Sequence, residues 1–218
     1  MGYVFVFDYD GVIVDSLSIF MKSFLRACDK EGWGELDSKE KFLHLFDGNM
    51  YKNMRNMGMT TDDIIAIVYR VRDDLIKHQN EIPLFPGFKD AVSSLAHSHP
   101  LLIATSNESR VVQEMLSLHD LDIFKEVLGS DSEPSKVKKL ISIKKRFQND
   151  QCVYIGDTIG DIIEGKQAGV ITVAVTWGWH DEHRLKNAHP DYILSSPEEL
   201  IDLDHIIRRS QSRPQSLH

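Results

Sequence analysis

Four aspartates, arriving in two pairs, carry the first chemical signal in this 218-residue chain. Asp8 and Asp10 stand in Asp8-Tyr9-Asp10-Gly11-Val12, directly after an apolar run. Side chains alternate faces along a strand, so positions i and i+2 can converge on one site. Gly11 allows a tight turn and close approach of a ligand to the backbone. Like charges this close repel unless a cation or a shared proton intervenes. Asp157 and Asp161 stand in Gly156-Asp157-Thr158-Ile159-Gly160-Asp161, where another apolar run gives way to a helical pattern. Helix capping accounts for one acid there, and an acidic capping turn accounts for the first pair. Capping does not account for both pairs at adjacent strand ends. An oxygen-only donor set suits a hard cation, and Mg²⁺ takes few carboxylates plus water and phosphate. Thr105-Ser106-Asn107 follows a third apolar run. Its hydroxyls, amide and backbone N–H groups suit an anion, although a plain capping turn has the same composition. Lys136, just after Pro134 and Ser135, has the reach of a point charge on a phosphoryl oxygen. With Lys138 and Lys139 beside it, it also fits a solvated helix face.

The elements that must position these residues alternate. Apolar runs at 3–7, 101–105, 126–129, 152–155, 171–175 and 191–194 read as strands. Helical patterns at 90–97, 110–119, 136–147 and 159–168 separate most of them. The expected fold is α/β: a Rossmann-like, mostly parallel sheet flanked by helices, with ligands beyond the carboxyl ends of the strands. More than 90 residues separate the first two runs, far more than one crossover needs. The interval 17–83 reads as an inserted all-helical cap domain, leaving 1–16 and 84–210 as the catalytic core and 211–218 as a flexible tail. Its joints are expected at 15–16 and 83–87. Leu17, Phe20, Met21, Phe24, Leu25 and Cys28 recur at helical spacing; Met50, Met54 and Met57 form a second stripe, read as core of the insertion; 61–78 is a third helix, capped by Thr60 or Thr61.

Composition narrows the partners. Twenty-five Lys and Arg against 33 Asp and Glu leave a formal charge of −8. That balance argues against nucleic acid and an anionic membrane surface, and leaves room for a small phosphorylated metabolite. No apolar stretch reaches membrane length, and the first residues lack a basic leader. Two cysteines, Cys28 and Cys152, make no disulfide framework. A cytoplasmic monomer or homodimer is expected. The ten histidines show no zinc-ligand spacing with cysteine. Trp177, Trp179 and His180, after the fifth run, line the entrance or pack as a loop.

In chain order the set is acid pair, hydroxyl, lysine, acid pair. This resembles the haloacid dehalogenase superfamily of aspartate-nucleophile phosphotransferases, over nearly the whole chain. Asp8 and Asp10 match its first motif, Thr105 its second, Lys136 its third, and Asp157 with Asp161 its fourth. The insertion at 17–83 stands where the phosphoglycolate-phosphatase-like branch carries its helical cap. Gly169-Val170, Val175-Thr176-Trp177-Gly178, Pro190-Asp191-Tyr192-Ile193 and Ser196-Pro197-Glu198-Glu199-Leu200 resemble that branch too. Two departures stand out: Val12 replaces a common Thr, and Glu133-Pro134 replaces a common Lys-Pro, with Lys136 two residues beyond. The resemblance implies an Mg²⁺-dependent phosphatase of a small phosphomonoester, such as 2-phosphoglycolate. Asp8 is then the nucleophile and Asp10 the acid and base. The ion is held by Asp8, the Asp10 carbonyl and Asp157, with Asp161 binding through water or orienting that shell. Thr105 and Lys136 hold the phosphoryl oxygens, and Gly11, Ser106 and Asn107 complete the substrate site. A phosphomutase of the β-phosphoglucomutase type and a pyrophosphatase are the alternatives on the same core. Specificity would lie in the cap, where Lys22, Arg26, Asn49, Tyr51, Asn53 and Arg55 are the polar candidates.

Overall fold

The computed structural model describes residues 2–212. At its centre runs β1 (Gly2–Phe7), whose Val4, Phe5, Val6 and Phe7 have no solvent exposure. A strand hidden on both faces needs helices on both sides. The other strands are β2 (Leu101–Ala104), β3 (Glu126–Leu128), β4 (Asp150–Gly156), β5 (Ile171–Val175) and β6 (Tyr192–Leu194). Their order is β3-β2-β1-β4-β5-β6. Every pairing is parallel, so the sheet is wholly rather than mostly parallel. The register sets Phe7 level with Ile103 on one side and Ile155 on the other. Alternation then sorts the side chains. Phe5, Phe7, Ile103 and Ile155 face one apolar layer with Phe88; Val4, Val6, Leu102 and Tyr154 face another with Leu140 and Ile143.

Between β1 and β2 lie α1 (Leu17–Lys30), α2 (Lys39–His44), α3 (Met50–Asn56) and α4 (Thr61–His78). α1 packs along α4, and Thr60, not Thr61, closes the capping box with Asp63. The chain leaves and re-enters side by side: Asp15 N donates to Pro83 O at 2.9 Å, and Phe85 N to Ile13 O at 3.1 Å. The methionine stripe divides. Met54 is buried, but α3 ends at Asn56, so Met57 lies past the helix and is 41% exposed. α5 (Phe88–Ala96), α6 (Ser109–Leu118) and α10 (Leu203–Gln211) pack into the layer holding Phe7. α7 (Lys136–Arg146) packs on the opposite face. α8 (Ile159–Ala168) lies beside α7 and meets α9 (Glu182–Asn187) through Ile162 and Leu185. α10 extends through Gln211, so the expected tail begins later; residues 213–218 lie outside the described residues. Among the described residues no helix is long and apolar enough to cross a membrane.

Leu102 is 1% exposed, on the middle of β2. Leu102→Ala is expected to destabilise the fold by ~2–5 kcal/mol, the range for deleting a buried leucine side chain. Urea titration checks this as a lower midpoint at unchanged slope.

Candidate active site

Chain order reverses at β1, whose neighbours β2 and β4 belong to different halves of the sequence. That switch point is where a parallel sheet opens a crevice. Asp8 N donates to Ile155 O at 2.8 Å, extending the ladder by one residue. Asp8 therefore keeps the alternation of Val4 and Val6 and points to the α7 side. On α7, Lys136, Leu140 and Ile143 recur at i, i+4, i+7, so they share one face. Leu140 and Ile143 pack on the sheet, and Lys136 lies beyond its edge, beside Asp8. Its Nζ donates to Asp8 Oδ2 at 2.7 Å and to Asp161 Oδ1 at 2.6 Å.

The second acid pair arrives on β4 and α8. Asp161 Oδ1 also accepts from the Tyr154 hydroxyl at 2.8 Å, and Oδ2 from Thr158 N and Oγ1. Four donors thus occupy Asp161 and hold it against Lys136. Asp157 differs. Its Oδ2 accepts from Trp179 N at 2.7 Å, while its buried Oδ1 has no partner. Two glycines make room for it. A Cβ on Gly11, at φ +75°, would lie 1.9 Å from Asp157 Oδ2, and one on Gly178 2.4 Å from Asp157 Cβ. Gly11, expected to bind substrate, leaves space here for this carboxylate.

Charge is the site's unsolved problem. Burial pushes the Asp8 carboxyl up to about 7 against the pull of Lys136. Burial and the neighbouring Asp161 push Asp157 well above the carboxylate range. Burial also opposes ionisation of Asp161, but Lys136 and its hydrogen bonds hold it low. Lys136 is desolvated too, yet Asp161 and Asp8 keep it firmly protonated. Three buried acids around one ammonium leave negative charge in excess. Asp8, Asp157 and Asp161 each offer an oxygen, these lying within 4.8 Å of one another. The partnerless Asp157 Oδ1 and the all-oxygen donor set fit a hard divalent ion such as Mg²⁺.

On the other side of β1, Thr105 is buried at the end of β2. Its Oγ1 accepts from Asn107 N at 3.1 Å, leaving its own proton free to donate. Asn107 Nδ2 donates to Asp10 Oδ2 at 2.5 Å, so Asn107 steadies Asp10. Burial raises the Asp10 carboxyl, opposed by that hydrogen bond. The solvated face expected for the lysine run is wrong for Lys139. It is 1% exposed, its Nζ donates to Thr105 O at 2.6 Å, and burial lowers it to about 8. Tyr154 and Lys139 escaped the sequence reading; Lys139's place at i+3 from Lys136 was the available signal.

The roof of the site comes from α1, α4 and the loop before α3. Trp179 packs against Phe20, Phe42 and Phe46, with ring centroids 5.1, 5.6 and 4.8 Å away. His180 is wholly buried: Nδ1 accepts from Ile159 N, so Nε2 carries the proton and donates to Leu43 O at 3.1 Å. Trp177 Nε1 donates to Val12 O. Trp177 thus ties its loop to the turn after β1, while Trp179 and His180 join the helical segment to the sheet. Between them opens a cavity of about 590 Å³, lined below by Asp8, Asp10, Thr105, Ser106, Asn107, Lys136, Asp157 and Asp161. Of the polar candidates on the helical segment, Asn49 and Tyr51 line it. Arg26 instead pairs with Asp74, and Asn53 bonds Leu45 O.

Comparison with known proteins agrees with this fold. Residues 5–175 match the family model described as haloacid dehalogenase-like hydrolase. The chain is 28% identical over 200 residues to a phosphoglycolate phosphatase of Synechococcus elongatus, covering 90% of this chain and 94% of that protein. It is 24% identical over 206 residues to a pyrophosphatase PpaX of Oceanobacillus iheyensis, covering 91% and 94%. A solved haloacid dehalogenase-like family hydrolase from Streptococcus pneumoniae superposes with a TM-score of 0.76 at 26% identity, over 92% of this chain and 97% of that one.

Any cation held by the acid cluster would bind in a pH-dependent way. Asp8 titrates near 7 in the fold against an ordinary 3.8, so without a cation its contribution to stability is present below 3.8 and lost as pH rises through 7. A cation competes with those protons. The rise in Tm on adding Mg²⁺ is expected to be small at pH 5 and to grow through pH 7. At a hundredfold excess over Kd it approaches ~2.7 kcal/mol, about 5–10 °C for a chain of this size. Asp157→Asn should abolish it; thermal melts with Mg²⁺ or chelator at several pH values decide.

Proposed function

This chain belongs to the haloacid dehalogenase-like hydrolases, and on that premise we propose that it is an Mg²⁺-dependent phosphatase cleaving a phosphomonoester through an aspartyl-phosphate on Asp8. The observation that carries the reading is the buried, partnerless Asp157 Oδ1 beside the Asp8–Lys136–Asp161 bridge. Asp8, the Asp10 main-chain carbonyl and Asp157 would hold the ion, with Asp161 fixing Lys136 alongside. Bound Mg²⁺ supplies the positive charge that lets one anion approach another.

In the first half-reaction an Asp8 oxygen forms a bond to phosphorus as the ester P–O bond breaks. Asp10 donates its proton to the departing alkoxide oxygen. Its raised pKa, from burial, keeps a proton available for that step. In the second half-reaction Asp10 takes a proton from water, the water oxygen bonds to phosphorus, and the Asp8–phosphorus bond breaks. Asp8 and Asp10 are thereby restored and inorganic phosphate leaves. Lys136 and the free Thr105 proton bind phosphoryl oxygens, with Ser106 at the mouth; Lys139 holds the Thr105 carbonyl. Residues 17–83 serve as the cap and shield the site from water. The remainder, 1–16 and 84–210, is the catalytic core. The names of the relatives support 2-phosphoglycolate and pyrophosphate as first substrates to try. Two buried, unpaired cysteines fit a reducing cytoplasm.

The test is free-phosphate release from 2-phosphoglycolate, sugar phosphates, nucleotides, alkyl phosphates and pyrophosphate, with Mg²⁺ and with chelator. Mg²⁺-dependent release is expected; an isomeric ester in place of free phosphate would make the protein a mutase. Asp8→Asn should lower turnover at least ~10³-fold with the fold intact. Asp10→Asn should cost ~10²–10⁴-fold with alkyl leaving groups and much less with a nitrophenolate, which needs no proton. Equal losses for both would remove Asp10 from the acid role.

A further inference from the structure

The phosphatase reading leaves the leaving group open, and the walls of the cavity address it. The phosphoryl end sits among Asp8, Thr105 and Lys136. The rest of the 590 Å³ is of the size that holds a drug-sized ligand, ~300–1,000 Å³. Its upper wall is apolar and aromatic, drawn from Phe20, Phe46, Met50, Val68, Tyr69 and Trp179. Two of its large apolar side chains stay open to solvent, Ile65 at 47% and Tyr69 at 55%. Covering such side chains with a ligand removes apolar surface from water.

Charge on that wall is unsuited to a second anion. Apart from Lys136 at the phosphoryl end, Arg72 is the one cation among the described lining residues, and Glu108 already pairs with it at 2.7 Å. Asp73 Oδ1 lies 3.6 Å from Arg72 Nε, so two carboxylates already share this guanidinium. Glu108 and Glu164 add negative charge, while Asn49 and Tyr51 are neutral. Arg26 and Arg70 face away, paired with Asp74 and Glu31. A carboxylate or second phosphate on the leaving group would therefore be desolvated beside acids without a free countercharge.

We infer that the preferred substrate is the phosphate monoester of an uncharged, apolar alcohol of ring or branched-chain size. The inference rests on the phosphatase reading and replaces 2-phosphoglycolate as its preferred substrate. The alcohol's carbon skeleton lies along α4 between Val68 and Trp179, and its ester oxygen faces Asp10. Burial of that skeleton positions the phosphorus for Asp8.

Straight-chain alkyl phosphates test it with the full-length protein and Mg²⁺, because their leaving groups differ little in acidity. From ethyl to hexyl phosphate, kcat/KM is expected to rise about fourfold per methylene, the fold-change of ~0.8 kcal/mol per buried CH₂. Benzyl phosphate is expected to exceed 2-phosphoglycolate and pyrophosphate by at least tenfold. Val68→Asn should flatten the chain-length slope. A flat or falling slope in the wild type, or 2-phosphoglycolate ahead of hexyl phosphate, overturns the inference while leaving the phosphatase standing. Absence of phosphate release from every ester overturns the phosphatase reading itself. Should Val68→Asn not fold, the wild-type slope decides alone.

Discussion

The buried ammonium of Lys136, held between Asp8 and Asp161, is the constraint from which the rest of the site follows. One positive charge is shared by two carboxylates, and Asp157 has no cationic partner at all. Burying such a set is unfavourable unless every charge finds a partner. The protein meets part of that demand with Tyr154, Thr158 and the Trp179 amide. The remaining demand, on one oxygen of Asp157, is one that a divalent ion would answer. The apolar sheet contributes by exclusion: Val4, Val6 and Tyr154 keep water from beneath the acids, so Coulombic terms act at short range in a medium of low dielectric.

Alternating apolar runs made the fold readable. β1, β4 and β5 are short and hidden on both faces, and such strands write themselves as continuous Val, Ile and Phe. Asp8, Asp10, Asp157 and Thr105 stood out because they follow strands, where a parallel sheet places ligands; Asp161 and Lys136 stood out only as members of the same ordered set. What escaped depended on packing that a string does not record. Lys139 looks like any surface lysine, yet Leu140 beside it turns that side of α7 inward. Asn107 looked like a phosphate ligand, yet its amide lies on Asp10. Gly11 and Gly178 reveal their purpose only when Asp157 is found between them. α9 is six residues long and its Asp181 cap is its sole local signal, too little for periodicity to register.

The helical segment and the sheet meet through specific polar bonds as well as aromatic stacking. Gly160 N donates to Phe46 O at 2.9 Å, His180 to Leu43 O, and Arg184 to Asp47 at 2.6 Å. All three lie on one stretch of the segment, 43–47. The opposite side is tied by Arg72 to Glu108. The backbone joint at 13–15 and 83–85 is a paired, hydrogen-bonded hinge.

The central position of β1 also bears on how the chain acquires its shape. β1 is synthesised first, yet it pairs with β2 about a hundred residues later, and Gly2 with Asp150 across a separation of 148. Contacts this distant are slow to form, because loop closure precedes any reward. Until β4 leaves the ribosome, Tyr3-Val4-Phe5-Val6-Phe7 is an apolar, β-prone segment with no completed sheet to enter. The helices α1 to α4 contact mostly one another and can consolidate meanwhile. The same strand that positions Asp8 is thus an apolar segment exposed to misassociation while the chain is being made.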